Sequence, residues 1–157
     1  MDAVFNEGEK KTLKLEGVKC SGYRTICPAT IFDTTTIERI DEIIDIVTNF
    51  VKENTRHTLA DSDYSINFKL SGGKDSSLGI VIDVVGKTQL IADTVCALVR
   101  SRMLHCDYDG RKCSAGNLAF PFSPSDIHVG AVYEFSVFHI IEVDDLAETA
   151  KVVIEEV

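Results

Sequence analysis

The stretch from Tyr64 to Val85 constrains the fold most strongly, because it describes two strands joined by a tight turn. Residues 64–70 alternate between apolar and polar side chains, and residues 80–85 form a second, largely β-branched apolar run. The residues between them spell SGGKDSS, a small, polar, glycine-rich segment that is typical of a hairpin turn. The sequence therefore predicts a β-hairpin in the middle of the chain.

The same turn matches the phosphate loop of the N-type ATP pyrophosphatases, which reads SGGxDS. In those enzymes the loop opens a helix, and the N-terminus of that helix favours the bound pyrophosphate. Here residues 78–86 follow the loop, and this β-branched, glycine-containing run predicts a strand instead. We interpret the motif as a turn rather than an ATP site, and we keep binding of another anionic group by Lys74 as an alternative.

Two amphipathic helices are predicted, one on each side of the hairpin. The first begins at a capping box formed by Thr35 and Glu38, and its apolar residues recur every three or four positions from Ile37 to Val51. The second begins after an N-cap at Thr88. Its inner stripe comprises Ala92, Val95, Cys96, Val99 and Met103.

Outer strands and a closing helix complete the order. Residues 1–11 are predicted to be a flexible N-terminus, and residues 12–18 a first strand that leads into a long connection at 19–34. Residues 132–143 are apolar on both faces, which predicts a central strand or one covered by another subunit. Asp145 and Glu148 have capping-box spacing, so a helix is expected to close the chain.

The predicted order is β-α-β-β-α-β-α in a single α+β domain spanning residues 12–157. This order matches the ferredoxin-like split βαβ fold, an antiparallel sheet with its helices on one face. Right-handed crossovers then bring three loops to one end of the sheet, which we call the loop pole. We predict that a small anionic ligand binds there to Arg24, Lys74, Asp75, Asn117, Ser125 and Asp126.

Composition narrows the partners and the compartment. The chain of 157 residues carries a net charge of −9, which argues against nucleic acid and against an anionic membrane surface. No apolar run reaches the roughly 18 residues of a membrane span, and the N-terminus does not resemble a signal peptide. Five cysteines, an odd number, fit reduced thiols, so we expect a soluble, cytoplasmic protein.

The cysteines do not have the spacing of a metal site. Cys20 and Cys27 lie seven positions apart, as do Cys106 and Cys113, whereas zinc ligands are usually separated by two to four residues. We therefore predict unpaired thiols, with no metal and no cofactor. Cys27, placed in the predicted connection, is the one candidate nucleophile, and no base is assigned to it.

Five segments resemble the C-terminal part of the acyclic terpene utilisation A family, long classified as a domain of unknown function. The most specific is GNLAFPFSPSD, and the others lie around it and upstream in the chain. The segments are residues 116–126, 132–139, 93–98, 104–105 and 22–37.

The resemblance implies a role in the bacterial breakdown of branched or terpenoid acids. Members of that family are usually longer, with a large N-terminal region, so the resemblance implies an excised C-terminal domain or a split subunit with a larger partner chain. No catalytic residues carry over from the family. One reading is a non-catalytic auxiliary domain that completes a catabolic enzyme through the apolar segment 118–122 and the strand at residues 132–143, and that is expected to form a homo-oligomer. The alternative is an enzyme or binder of a CoA ester, carboxylate or nucleotide that uses Arg24, Lys74 and Asn117.

Overall fold

A computed structural model describes residues 11–73, 77–111 and 118–144. These residues form an α+β fold with three helices, one short 3₁₀ turn and a four-stranded antiparallel sheet, whose strand order is β2-β3-β1-β4. The elements are β1 Thr12–Ile31, α1 Thr34–Glu38, α2 Ile40–Thr55, the 3₁₀ turn Asp61–Asp63, β2 Tyr64–Gly73, β3 Ser77–Gly86, α3 Gln89–Leu104 and β4 Ile127–Glu142.

The described residues fall into two compact units. We call Cys20–Val132 the body, and the described residues 11–19 and 133–144 the ribbon. The prediction of a single domain over residues 12–157 stays a prediction, as does the flexible N-terminus, because residues 1–10 and 145–157 lie outside the described part. The closing helix predicted from Asp145 lies outside it too.

The central hairpin is confirmed by strand pairing. β2 and β3 run antiparallel from the pair Tyr64 and Gly86 to the pair Gly73 and Ser77, which flanks the turn. On β3 every second residue is buried, as expected for a strand with one face on the core. The turn residues 74–76 lie outside the described part.

β1 is much longer than predicted, so the long connection expected at residues 19–34 is wrong. The strand continues for 20 residues, and its residues 23–31 each pair with a residue of β3. Gly22 permits a close approach there, since a Cβ at this position would lie 2.7 Å from the carbonyl oxygen of Gly86.

Pro28 is tolerated inside β1 because of the direction its nitrogen faces. Thr30 exchanges both backbone hydrogen bonds with Ala119, at 2.9 and 2.8 Å, so its polar groups point away from β3. Pro28 is two residues earlier and faces the same way, and its missing N–H therefore costs no bond between β1 and β3.

The first predicted helix is present but begins and runs differently. Its cap is Asp33 rather than Thr35, since the Asp33 carboxylate accepts from the Thr36 N–H at 2.9 Å and from its hydroxyl at 2.7 Å. It is also divided at Arg39 into α1 and α2. Asp caps a helix as well as Thr does. The capping-box spacing of Thr35 and Glu38 favoured Thr35 in the prediction, although Asp33 lies two residues earlier.

α3 matches its prediction closely. The hydroxyl of Thr88 accepts from the N–H of Ile91 at 3.3 Å, which confirms the N-cap. The five residues predicted for its inner stripe are all buried. They join the buried residues of α2, β1 and β3 in one core.

No helix among the described residues is long and apolar enough to cross a membrane.

β4 starts earlier than predicted and lies at an edge of the described sheet, so its interpretation as a central strand is wrong. Within the ribbon it runs beside the first part of β1. The N–H of Val143 donates to the carbonyl of Lys11 at 2.9 Å, and Lys19 pairs with Glu134 at 2.9 Å. The second alternative for this strand, cover by another subunit, stays a prediction.

Candidate functional site

A line of polar side chains crosses the buried side of the body between α3, β1 and the start of β4. On α3, Gln89, Asp93, Cys96 and Arg100 recur at steps of four, three and four residues, which places them on one face of the helix. We call the whole set the polar seam. It comprises Thr25, Cys27, Gln89, Asp93, Cys96, Arg100, Ser125, Asp126 and His128.

Asp93 is the centre of one end of the polar seam. Its Oδ1 accepts from the Thr25 hydroxyl at 2.5 Å and from Gln89 Nε2 at 2.8 Å, and His128 Nε2 lies 3.3 Å away. Gln89 also donates to the Thr25 hydroxyl at 2.7 Å. Thr25 is fully buried, so these bonds satisfy a hydroxyl that would otherwise be costly to desolvate.

Asp126 is the centre of the other end. Its Oδ1 accepts from Arg100 Nε at 2.8 Å and from the Ser125 hydroxyl at 3.2 Å. Both members of the Arg100–Asp126 ion pair are mostly buried, with side chains 28% and 19% exposed. The pair therefore balances two charges inside the body.

The buried thiols of the seam are poor nucleophiles. Burial raises the pKa of Cys27 and of Cys96 to about 12, and the nearby Asp126 carboxylate adds to both shifts. Burial also raises the pKa of the Cys106 thiol. Because the thiolate is the reactive form, the hypothesis of Cys27 as a nucleophile loses its chemical basis at neutral pH.

His128 is the seam residue that solvent reaches most freely, with 64% of its side chain exposed. A carboxylate beside an imidazole is the arrangement with which proteins hold a histidine for proton transfer. The Asp93–His128 pair is therefore the part of the seam that a solute could contact.

The six predicted site residues fall into three groups, of which the third is Arg24 alone. Ser125 and Asp126 lie together in the seam. Lys74, Asp75 and Asn117 lie outside the described residues.

Arg24 is not at the loop pole, and its predicted position beside the turn is wrong. It pairs with Val85 on β3, whereas the β1 residue nearest the turn is Ile31, opposite Leu78. The two positions are seven residues apart along an extended strand, because the segment predicted as a connection is part of β1. That these six residues bind a ligand stays a prediction.

Arg24 instead belongs to an ionic cluster that the sequence did not reveal. Its Nε donates to Asp83 Oδ1 at 2.8 Å, and Lys69 Nζ lies 2.8 Å from Asp83 Oδ2. Asp83 is only 3% exposed, in an otherwise apolar strand. A carboxylate buried in an apolar strand must be paired with a cation. The presence of Asp83 in such a strand is therefore the sequence signal that could have predicted the cluster.

The seam around Asp93 was also missed. Gln89 and Asp93 stand four residues apart at the start of α3. Polar residues are ordinary on the side of a helix away from its apolar stripe, and nothing in the sequence links these two to Thr25 or His128. Only the fold brings these four residues together.

Three surface hollows are lined by residues that do not belong to the seam. One of about 210 Å³ is lined by residues of α2, the 3₁₀ turn and β2, and one of about 160 Å³ lies near the end of β3. A third, of about 270 Å³, is lined by ribbon residues. Within the described part no group of three or more His, Cys, Asp or Glu side chains could hold a metal ion.

Comparison of the chain with protein-family models, with curated protein sequences and with solved structures found no match. The resemblance to the acyclic terpene utilisation A family therefore stays a prediction.

Proposed function

We propose that this chain is a non-catalytic assembly domain that binds another protein chain through the ribbon. The observation that carries the proposal is the exposure of large apolar side chains on this unit. Phe135 is 77% exposed and Phe138 is 67% exposed. The other exposed apolar residues of the ribbon are Leu15, Val18, Tyr133, Val137 and Ile140.

Such a surface is costly in water. Full burial of one large apolar side chain is worth about 1.5–3 kcal/mol, and contiguous apolar patches on soluble proteins usually mark interaction sites. A partner that covers the ribbon would supply the burial that the ribbon lacks.

The polar seam supports a non-catalytic role by contrast. Its carboxylates accept hydrogen bonds from seam residues, and its two thiols have raised pKa values. Groups satisfied in this way stabilise a fold rather than wait for a substrate.

The resemblance supplies a context for this role. We propose an auxiliary domain or split subunit of a catabolic protein resembling the acyclic terpene utilisation A family, with a larger chain as one possible partner. We also propose that the elements form the ferredoxin-like split βαβ arrangement, which the strand order β2-β3-β1-β4 supports.

The assembly role is tested by the size of the complex that the chain forms in its own cells. A tagged wild-type chain should migrate in size-exclusion chromatography of the lysate well above 17.3 kDa. The double variant Phe135→Ser, Phe138→Ser should migrate as the free chain. Phe32→Ser is the matched control, because Phe32 is 61% exposed but belongs to the body. Identical migration of wild type and the double variant would contradict the role.

A second function is favoured by the Asp93–His128 pair. An accessible imidazole beside a carboxylate can contact a small anionic ligand, such as a CoA ester, another carboxylate or a nucleotide. Thermal-shift measurements with these compounds test it. A shift that disappears in His128→Ala or Lys74→Ala would support binding, and unchanged melting with all compounds would contradict it.

A further inference from the structure

We propose that the outer face of the sheet in the body binds the phosphate group of a small, polar phosphate ester between Arg24 and Lys69. The outer face is the side of β1, β2 and β3 that points away from the buried core. This site goes beyond the assembly role proposed above, because its residues all belong to the body and none belongs to the ribbon. An ion cluster with an excess of positive charge and a polar hollow beside it carry the proposal.

The ion cluster of Arg24, Lys69 and Asp83 contains two cations for one carboxylate. Arg24 Nε donates to one oxygen of Asp83, and Lys69 Nζ lies against the other, both at 2.8 Å. The even-numbered residues of β3 face the core, so Asp83 projects from the outer face. Both oxygens of the carboxylate are therefore occupied, and the cluster keeps one positive charge in excess.

The exposure of the three side chains makes the cluster positive towards solvent. Asp83 is almost fully buried, whereas the side chains of Arg24 and Lys69 are 34% and 65% exposed. An ion that approaches from solvent therefore meets the two cations before it meets the carboxylate. Since the whole chain has a net charge of −9, this local excess of positive charge favours an anion at one particular place.

Both cations keep N–H groups that a ligand can use. Arg24 bonds to Asp83 through Nε, and no contact within the described part of the chain uses its two terminal nitrogens. The Lys69 ammonium has three N–H groups, and its ion pair with Asp83 occupies one of them. Because Asp83 already holds the two side chains next to each other, an anion loses less side-chain entropy when it binds them.

A phosphate group fits these donors better than a carboxylate does. A guanidinium group binds an oxyanion through parallel N–H groups, and an ammonium group acts as a point charge. A carboxylate has two oxygens, and one arginine is enough to bind both. A phosphate monoester has three free oxygens and a charge of about −1.5 to −2 at about pH 7, so it can bind Arg24 and Lys69 together.

A polar hollow of about 160 Å³ beside the cluster offers room for the rest of the ligand. Val85 lines this hollow on the outer face, where it pairs with Arg24 of β1 and with Ser65 of β2. The lining also includes two serines and a closed ion pair, namely Ser21, Ser62, Asp63 and Lys87. A polar lining without excess charge fits the uncharged, hydroxyl-bearing part of a phosphate ester.

Heteronuclear NMR of the isotopically labelled chain, titrated with inorganic phosphate at low ionic strength, tests the site. We expect saturable changes in amide shift that centre on Arg24, Lys69 and Asp83. Acetate should bind at least about 10-fold more weakly, because it has one oxygen fewer for the two cations and a smaller charge. Changes spread evenly over the surface, or equal affinities for the two anions, would overturn the proposal.

Charge-removing variants identify the residues that hold the phosphate. Arg24→Gln and Lys69→Gln should each weaken phosphate binding by at least about 10-fold, since each removes one of the two cations. Arg39→Gln is the matched control, because Arg39 is also 34% exposed but faces two carboxylates. His128→Ala should leave binding unchanged too, which separates this site from the Asp93–His128 pair.

Folding and the role of the hollow need separate measurements. Circular dichroism checks each variant, and Lys69→Gln changes a mostly exposed side chain, so its unaltered phosphate affinity in a folded chain would overturn the site. Glycerol phosphate should bind more tightly than inorganic phosphate, and Ser65→Leu, which narrows the hollow, should remove only this advantage. Equal affinities for the two phosphates in the wild-type chain would overturn the hollow as the place of the rest of the ligand.

Discussion

The polar seam and the ribbon place side chains in opposite ways. In the seam, polar groups such as Thr25 and Asp126 are buried or mostly buried, and each is bonded to a neighbour within the body. In the ribbon, large apolar groups such as Phe135 are exposed, although burial would stabilise them. The polar groups of the seam therefore find their partners within the body, whereas the large apolar groups of the ribbon remain in contact with solvent.

The sharpest test compares truncation to alanine in the core and in the ribbon. Ile82→Ala in the fully buried core should lower the free energy of unfolding by about 2–5 kcal/mol, because it leaves a cavity. Phe135→Ala should change it by only about 0.5 kcal/mol in dilute solution, since the ring is mostly exposed. Urea unfolding measures both. The effect of Phe135→Ala should increase with protein concentration, because association stabilises the folded state.

The next largest effect concerns the ion pair of the seam. Asp126→Ala leaves the mostly buried Arg100 guanidinium without its partner and should cost about 1–3 kcal/mol. Glu16→Ala in the ribbon is the matched control, because the Lys14–Glu16 pair is exposed and should contribute about 0–1 kcal/mol. Chemical denaturation measures the free energy of unfolding of both variants. Equal losses in the two variants would contradict the contrast between the seam and the ribbon.

A pH dependence follows from the thiols of the seam. Burial, followed by Asp126, raises the pKa of Cys27 and Cys96 from 9.0 to about 12, so the folded state holds the thiol protons more tightly than the unfolded state does. Their contribution to stability is therefore complete below pH 9.0 and is lost as the pH rises towards 12. The free energy of unfolding should fall between about pH 9 and about pH 12, and it should fall less in Cys27→Ala, Cys96→Ala. An identical decline in both chains would refute this cause.

The smallest effect is expected at the exposed end of the seam. His128→Ala should change the free energy of unfolding by about 0.5 kcal/mol or less, because the imidazole is largely in solvent. Thr25→Val, which removes a buried hydroxyl from the same group, should cost about 1 kcal/mol or more. A larger loss of unfolding free energy in His128→Ala than in Thr25→Val would contradict this order, because the exposed imidazole would then contribute more than the buried hydroxyl.

The sequence was informative wherever one local rule decided the outcome. The glycine-rich turn identified the β2–β3 hairpin, and periodicity with an N-cap identified α3 and its buried stripe. Ser125 and Asp126 were selected from topology, and they do lie among other polar groups.

The sequence predictions were wrong or incomplete where two local rules competed, or where the partner of a residue lay far away along the chain. Gly22 and Pro28 are turn formers, so β1 read as a loop, and only the close approach to Gly86 and the direction of the Pro28 nitrogen explain them as strand residues. Asp93 is separated from Thr25 by 68 positions. No local pattern encodes such a contact.

The ionic cluster around Asp83 determines how adhesive the outer face of the sheet can be. Asp83 alternates with the buried Ile82 and Val84, so Arg24, Lys69 and Asp83 lie on the opposite face of the sheet and place three charges in its middle. That face is therefore a poor second adhesive surface. A protein with two unrelated adhesive surfaces can grow into open-ended filaments, whereas a protein with one such surface forms closed assemblies. The cluster thus opposes open-ended growth through this face of the sheet.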